Sequence, residues 1–165
     1  MNITDQFQIK IQNSQHHLAI DEALLQETAC FVLQSEKVAQ ADISLAIIDN
    51  AAIRELNQQY LEHDYDTDVL SFLLECQLDT EKQDPDLRGA GKTIEGEIIV
   101  SAEMAVSMSE SYQWSAANEL LLYVIHGLLH LCGYDDLTEE EIQLMRIREQ
   151  QIFDQRGLTI PRREE

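Results

Sequence analysis

Between Leu120 and Leu131 the chain is apolar nearly all round, and two side chains interrupt the run, His126 and His130. A helix without a polar face belongs at the centre of a core, so the remaining elements must be layered around it. Burying two imidazoles there without partners is costly, and a metal ion would satisfy both. Histidines four apart share one helical face, about one turn and about 6 Å apart at Cβ. They can take adjacent corners of a coordination shell. Gly133 tolerates the left-handed conformation that ends a helix and turns the chain back. Asp136 then arrives ten residues after His126, where a third ligand is expected. Two histidines and a carboxylate, with no fourth protein ligand nearby, describe an open zinc site of the catalytic type. Asp135 is the alternative third ligand, or a group holding a ring through its second nitrogen. Glu119, two turns before His126, could orient a ring from behind; as a first-turn Glu favoured by the helix dipole it would instead be solvated. Cys132 reads as buried packing, and His63 as a solvated loop residue rather than a fourth ligand.

Around this helix the pattern predicts strands at 7–12, 43–48, 69–74 and 94–100, the last two antiparallel. Helices are expected from Ser14 to about Glu36, from Asp49 or Asn50 to about Leu61, and from Ser101 to about Ser109. Ser115 should cap the histidine helix. Thr138 followed by Glu141 reads as a capping box for a last helix ending near Gln155, before Gly157. The expected class is α+β and zincin-like, a mixed sheet of about four strands on about five helices. Residues 1–165 should form a single domain. Residues 75–93 read as a long mobile loop, a lid or an inert insertion, and 158–165 as a loose tail.

The segment His126-Gly127-Leu128-Leu129-His130-Leu131-Cys132-Gly133-Tyr134-Asp135-Asp136 resembles the YbeY family pattern His-Gly-x-Leu-His-Leu-x-Gly-Tyr-Asp-His, matching at eight positions. Leu56-Asn57, Thr67 through Phe72, and Gly96-Glu97-Ile98 are similar to further family stretches in the family's order. The resemblance implies a bacterial metal-dependent endoribonuclease of ribosomal RNA maturation and ribosome quality control. It implies one zinc per chain at His126, His130 and Asp136, RNA and ribosomal particles as partners, and a cytoplasmic setting. It also suggests that Asp68, Ser71 and Glu97 line the site. Three departures stand out: Asp136 in place of the family's third His, Leu61 where many members carry an Arg, and Glu97 for the commoner Asp. Aspartate also ligates zinc, although its charge should weaken the bound metal as a Lewis acid.

The net charge, 11 basic against 31 acidic residues or −20, argues against nonspecific binding to nucleic acid or membranes. Specific RNA binding therefore needs a local cationic surface. Lys82, Arg88 and Lys92 form one cluster in the sequence; Arg146, Arg148, Arg156, Arg162 and Arg163 form another. Cys30, Cys76 and Cys132 have no close-spaced pair, which fits a reduced, cytoplasmic protein. The N-terminus lacks the pattern of a signal peptide, no apolar run reaches the roughly 20 residues of a membrane span, and DNA is not an expected partner. Two other readings stay open. The His-His-Gly-Asp spacing also resembles that of metzincin peptidases, but Gly127 occupies the position of their general base. A ribosome-assembly factor with a structural metal would need no chemistry at all.

Overall fold

The computed structural model describes residues 3–61 and 67–163. A single turn, α1 (Ile3–Gln6), leads into β1 (Phe7–Asn13), followed by α2 (Glu22–Ser35), β2 (Gln40–Ile48) and α3 (Asn50–Leu61). Then come β3 (Val69–Leu78), β4 (Lys92–Ser101), α4 (Ala102–Tyr112), α5 (Ala116–Cys132) and α6 (Glu139–Asp154). The four strands form one sheet in the order β1-β2-β4-β3. β1, β2 and β4 run parallel, with Phe7 opposite Ala41 and Ala41 opposite Ile94, and β3 is antiparallel to β4. The class is α+β, as expected.

Alternation along the strands sorts the core. Ile43, Leu45 and Ile47 of β2, with Ile94, Ile98 and Val100 of β4, face the helices α2 and α5. Their neighbours Ala46, Ile48 and Ile99 face α3, where a smaller cluster forms around Ile53 and Leu70. The helix α5 sits at the centre, packed against α2, α4, α6, β3 and β4. Two glycines let it approach the sheet. A Cβ on Gly127 would meet Ile98 Cγ2 at 2.8 Å, and one on Gly96 would meet Leu131 Cδ1 at 2.8 Å. Ser101, Ser115 and Thr138 cap α4, α5 and α6 as expected, each accepting a backbone N–H three residues on.

Three expectations are corrected. The first long helix begins at Glu22, not after Ser14. The Ser14 N–H prolongs the β1 edge by donating to Ile47 O, Gln15 organises the following turn, and Asp21 caps the helix through Leu24 N–H. Second, residues 75–93 are largely structured. β3 continues to Leu78 with a bulge between Leu73 and Glu75, β4 starts at Lys92, and the connection carries a 3-10 turn at Thr80–Lys82. Arg88 ties that connection to α6 through a two-armed contact with Glu141, at 2.6 and 2.9 Å. Third, residues 158–163 are held. Gln150 grips Leu158 O and Ile160 N–H, and Arg163 pairs with buried Glu119. Among the described residues, no single helix is long and apolar enough to cross a membrane.

Candidate metal centre

The two histidines project from the last turns of α5. Their Nε2 atoms lie 3.0 Å apart. Gly133, at φ 118°, ends the helix, and its N–H and that of Tyr134 return to the His130 and Leu129 carbonyls. Asp135 then spends a carboxylate oxygen on Leu137 N–H. Asp136 is the carboxylate that turns back to the rings, with Oδ2 3.6 Å from His130 Nε2 and 3.9 Å from His126 Nε2. Ligand atoms of His126, His130 and Asp136 all lie within 4.8 Å of one another, so the group can hold a metal. Zn–N distances of about 2.0–2.1 Å put tetrahedral ligand atoms about 3.3 Å apart, near the spacing found here. The Asp136 side chain is 52% exposed, which leaves the mouth of the group open.

The residue that completes the arrangement is Glu149, on α6. Its Oε2 lies 3.0 Å from His126 Nδ1, and the residue is buried. A carboxylate there accepts Nδ1–H, so the Nε2 lone pair faces His130 and Asp136. Burial opposes the charged form of His126, but the Glu149 hydrogen bond and charge, with Asp68 and Asp136, carry its pKa above the usual value. Burial and the nearby His126 push the pKa of His130 the other way, below the usual value. Asp68 borders the same cleft, and burial raises its pKa against the opposing pull of His126. The cleft holds about 360 Å³ and is also lined by Tyr123, Arg146 and Arg163.

Sequence reasoning missed Glu149, which lies 23 residues from His126 and becomes its partner only when α6 packs on α5. The i+3/i+4 face of α6 with Met145, Ile152 and Phe153 was the available signal, since it marks Glu149 as inward-facing. Glu119 serves neither expected purpose. It is fully buried, accepts from Trp114 Nε1 at 2.8 Å, and is clamped by both terminal nitrogens of Arg163, whose guanidinium lies 4.2 Å from the Tyr112 ring centroid. Ser71 and Glu97 do not line the cleft, and Glu97 is exposed. Its neighbours Gly96 and Ile98 take the positions facing α5, so alternation turns Glu97 to the other side of β4.

The loop cations do not line the cleft either. Lys92 donates to Cys132 O at 2.7 Å, and Arg88 lies 5.2 Å from the Tyr134 ring centroid and donates to Gly133 O. Both therefore brace the chain reversal that positions Asp136. Tyr134 donates to Glu36, and burial together with that carboxylate pushes its pKa up to about 12. Cys132 is fully buried. His63 lies outside the described residues.

The sequence model of the family described as Endoribonuclease YbeY matches residues 8–157. The chain is 36% identical over 145 residues to the endoribonuclease YbeY of Salinibacter ruber, covering 88% of this chain and 89% of that protein. It is 46% identical over 112 residues to that of Syntrophomonas wolfei, covering 68% and 70%. A protein of Thermotoga maritima solved in solution shares the fold at a TM-score of 0.55 and 24% identity, over 90% of this chain and 91% of that one.

Proposed function

The chain belongs to the endoribonuclease YbeY family, and from that premise we propose that it is a zinc-dependent endoribonuclease cutting single-stranded RNA. Its setting is ribosomal RNA maturation and ribosome quality control in the cytoplasm, with ribosomal particles as partners. The observation that carries the reading is the convergence of ligand atoms of His126, His130 and Asp136 within 4.8 Å, with Glu149 Oε2 3.0 Å from His126 Nδ1. Zinc in such a site supplies Lewis acidity toward a phosphoryl oxygen and acidifies water.

The chain's own residues do the rest. Glu149 keeps the His126 proton on Nδ1 and holds the ring in one orientation. Asp136 adds a negative charge at the open mouth, which tempers that Lewis acidity relative to a third histidine. Asp68 borders the cleft beside the metal group, and burial holds its carboxyl above the usual carboxylate range. Leu122, Ile142 and Met145 form the apolar wall that limits water.

A peptidase reading has less support. The residue after the first histidine is Gly127, which is turned against Ile98 of the sheet and leaves no room for a catalytic carboxylate. Metal analysis by mass spectrometry tests the proposal, beside Asp136→Ala and the double variant His126→Ala/His130→Ala. One zinc per chain is expected in the native protein, weakened in the first variant and lost in the second, with RNA cleavage following the metal. Full RNA cleavage by the metal-free double variant would overturn it.

A further inference from the structure

Glu36 sits where local rules argue against it. It is the C-cap of α2, where the helix dipole disfavours a negative charge, and it is completely buried. A carboxylate in such a place is costly unless its oxygens find donors. Its Oε1 accepts Gly89 N–H at 3.1 Å, and its Oε2 accepts the Tyr134 hydroxyl at 3.0 Å and Arg148 Nε–H. These donors come from three separate parts of the chain, 53, 98 and 112 residues away. Two of them adjoin the metal group in the sequence. Tyr134 lies two residues before Asp136, and Arg148 immediately precedes Glu149. The third, Gly89, follows Arg88, which donates to Gly133 O at the same chain reversal.

We propose that Glu36 is a positioning residue for the metal centre, acting on Asp136 through Tyr134 and on Glu149 through Arg148. This rests on the metal-dependent reading above and deepens it. Tyr134 is pinned at both ends, by its hydroxyl to Glu36 and by its N–H to Leu129 O. The chain therefore leaves α5 along one path, and Asp136 meets the rings at the end of it. On α6, Arg148 and Glu149 are successive residues, about 100° apart around the helix axis. Anchoring Arg148 to the end of α2 fixes the rotation of α6, and with it the direction in which Glu149 faces His126. A charge-assisted hydrogen bond is short and directional, so it fixes a rotation that apolar contacts alone would leave looser.

The test uses the full-length chain with zinc itself as the probe, its affinity read by competition against a chromophoric chelator. Tyr134→Phe removes a single oxygen atom. It should weaken zinc binding by about tenfold, the low end of the range for groups that orient metal ligands. Glu36→Gln cannot match the Arg148 charge and so loosens both arms; it should weaken binding further, by up to about 100-fold. In an Asp136→Ala background, Tyr134→Phe should change affinity by less than about twofold, because the ligand it positions is gone. A purely structural contact gives another pattern. Tm falls in Tyr134→Phe while the folded protein keeps native zinc affinity, or the tenfold loss persists in full without Asp136. Either result, in a chain whose native form binds one zinc, refutes the positioning role and leaves the metal centre standing. If the native chain binds zinc no more tightly than His126→Ala/His130→Ala does, both fall. Should Glu36→Gln not fold, Tyr134→Phe and its double variant with Asp136→Ala decide the matter alone.

Discussion

Replacing Glu149 with alanine should weaken zinc binding by about 10–100-fold while leaving the fold intact. Glu149 is 7% exposed and its Oε2 sits 3.0 Å from His126 Nδ1, so water cannot readily take its place. A hydrogen bond to a charged group is worth about 1.5–3 kcal/mol, and about 1.4 kcal/mol is tenfold in affinity. The loss therefore spans one to two decades, the range usual for groups that orient metal-binding histidines. Glu149→Gln separates charge from geometry. Its amide oxygen can still accept Nδ1–H, but a neutral bond is worth about 0.5–1.5 kcal/mol, so that variant should fall roughly midway. Competition against a chromophoric zinc chelator at neutral pH reads both affinities, with near-UV circular dichroism as the check on the fold. Native affinity in a folded Glu149→Ala protein would refute the claim that this carboxylate fixes the His126 lone pair. Equal losses in the Ala and Gln variants would refute the role given to its charge.

Two further predictions follow from the ion pairs. Glu119→Ala strips Arg163 and Trp114 Nε1 of their shared acceptor. Breaking a buried pair usually costs about 3–5 kcal/mol, but Arg163 can escape with the tail, so a smaller drop in Tm and new proteolysis within 158–163 are expected; native protease resistance would count against the clamp. The second prediction concerns Arg88, whose hydrogen bond holds Glu141 below the usual carboxylate range. A depressed carboxyl contributes stability above its ordinary value of about 4.3, and that contribution is lost as pH falls through the lower folded value. The Tm gap between native protein and Arg88→Ala should therefore be full near neutrality and close in acid; a gap independent of pH would show that the ion pair is not its source.

What the sequence revealed was what local rules govern. Ser101, Ser115 and Thr138 cap helices through bonds to the third residue on, and His126, His130 and Gly133 lie within one helix and its turn. The triad geometry was legible because all of it falls within eleven residues. Glu149 and the Glu119–Arg163 clamp were not, because both join residues 23 or more positions apart and form only on tertiary packing. Ser14 illustrates the opposite failure. It has the chemistry of a cap, but its backbone is drawn into the edge of the sheet by Ile47, and Asp21 takes over the task. The long connection misled because its charges and glycines suggest mobility, whereas β-pairing continues through Gln77 and Leu78 on one arm and Lys92 and Thr93 on the other.

The strand order has a consequence for the protein's birth on the ribosome. β4 is the last strand made, yet it lies between β2 and β3. Until residue 101 has emerged, the inner edge of β2 has no neighbour, and until residue 132 has emerged Ile43, Leu45 and Ile47 have no central helix to cover them. At about 5–20 residues per second, this interval leaves the edge open for roughly 3–10 s and the face uncovered for roughly 4–17 s from the completion of β2. The nascent chain must pass through it with an open sheet edge and exposed apolar side chains, the condition that invites aggregation and holdase binding. α5 closes the interval: once it docks, the face is covered and His126 and His130 are in place together.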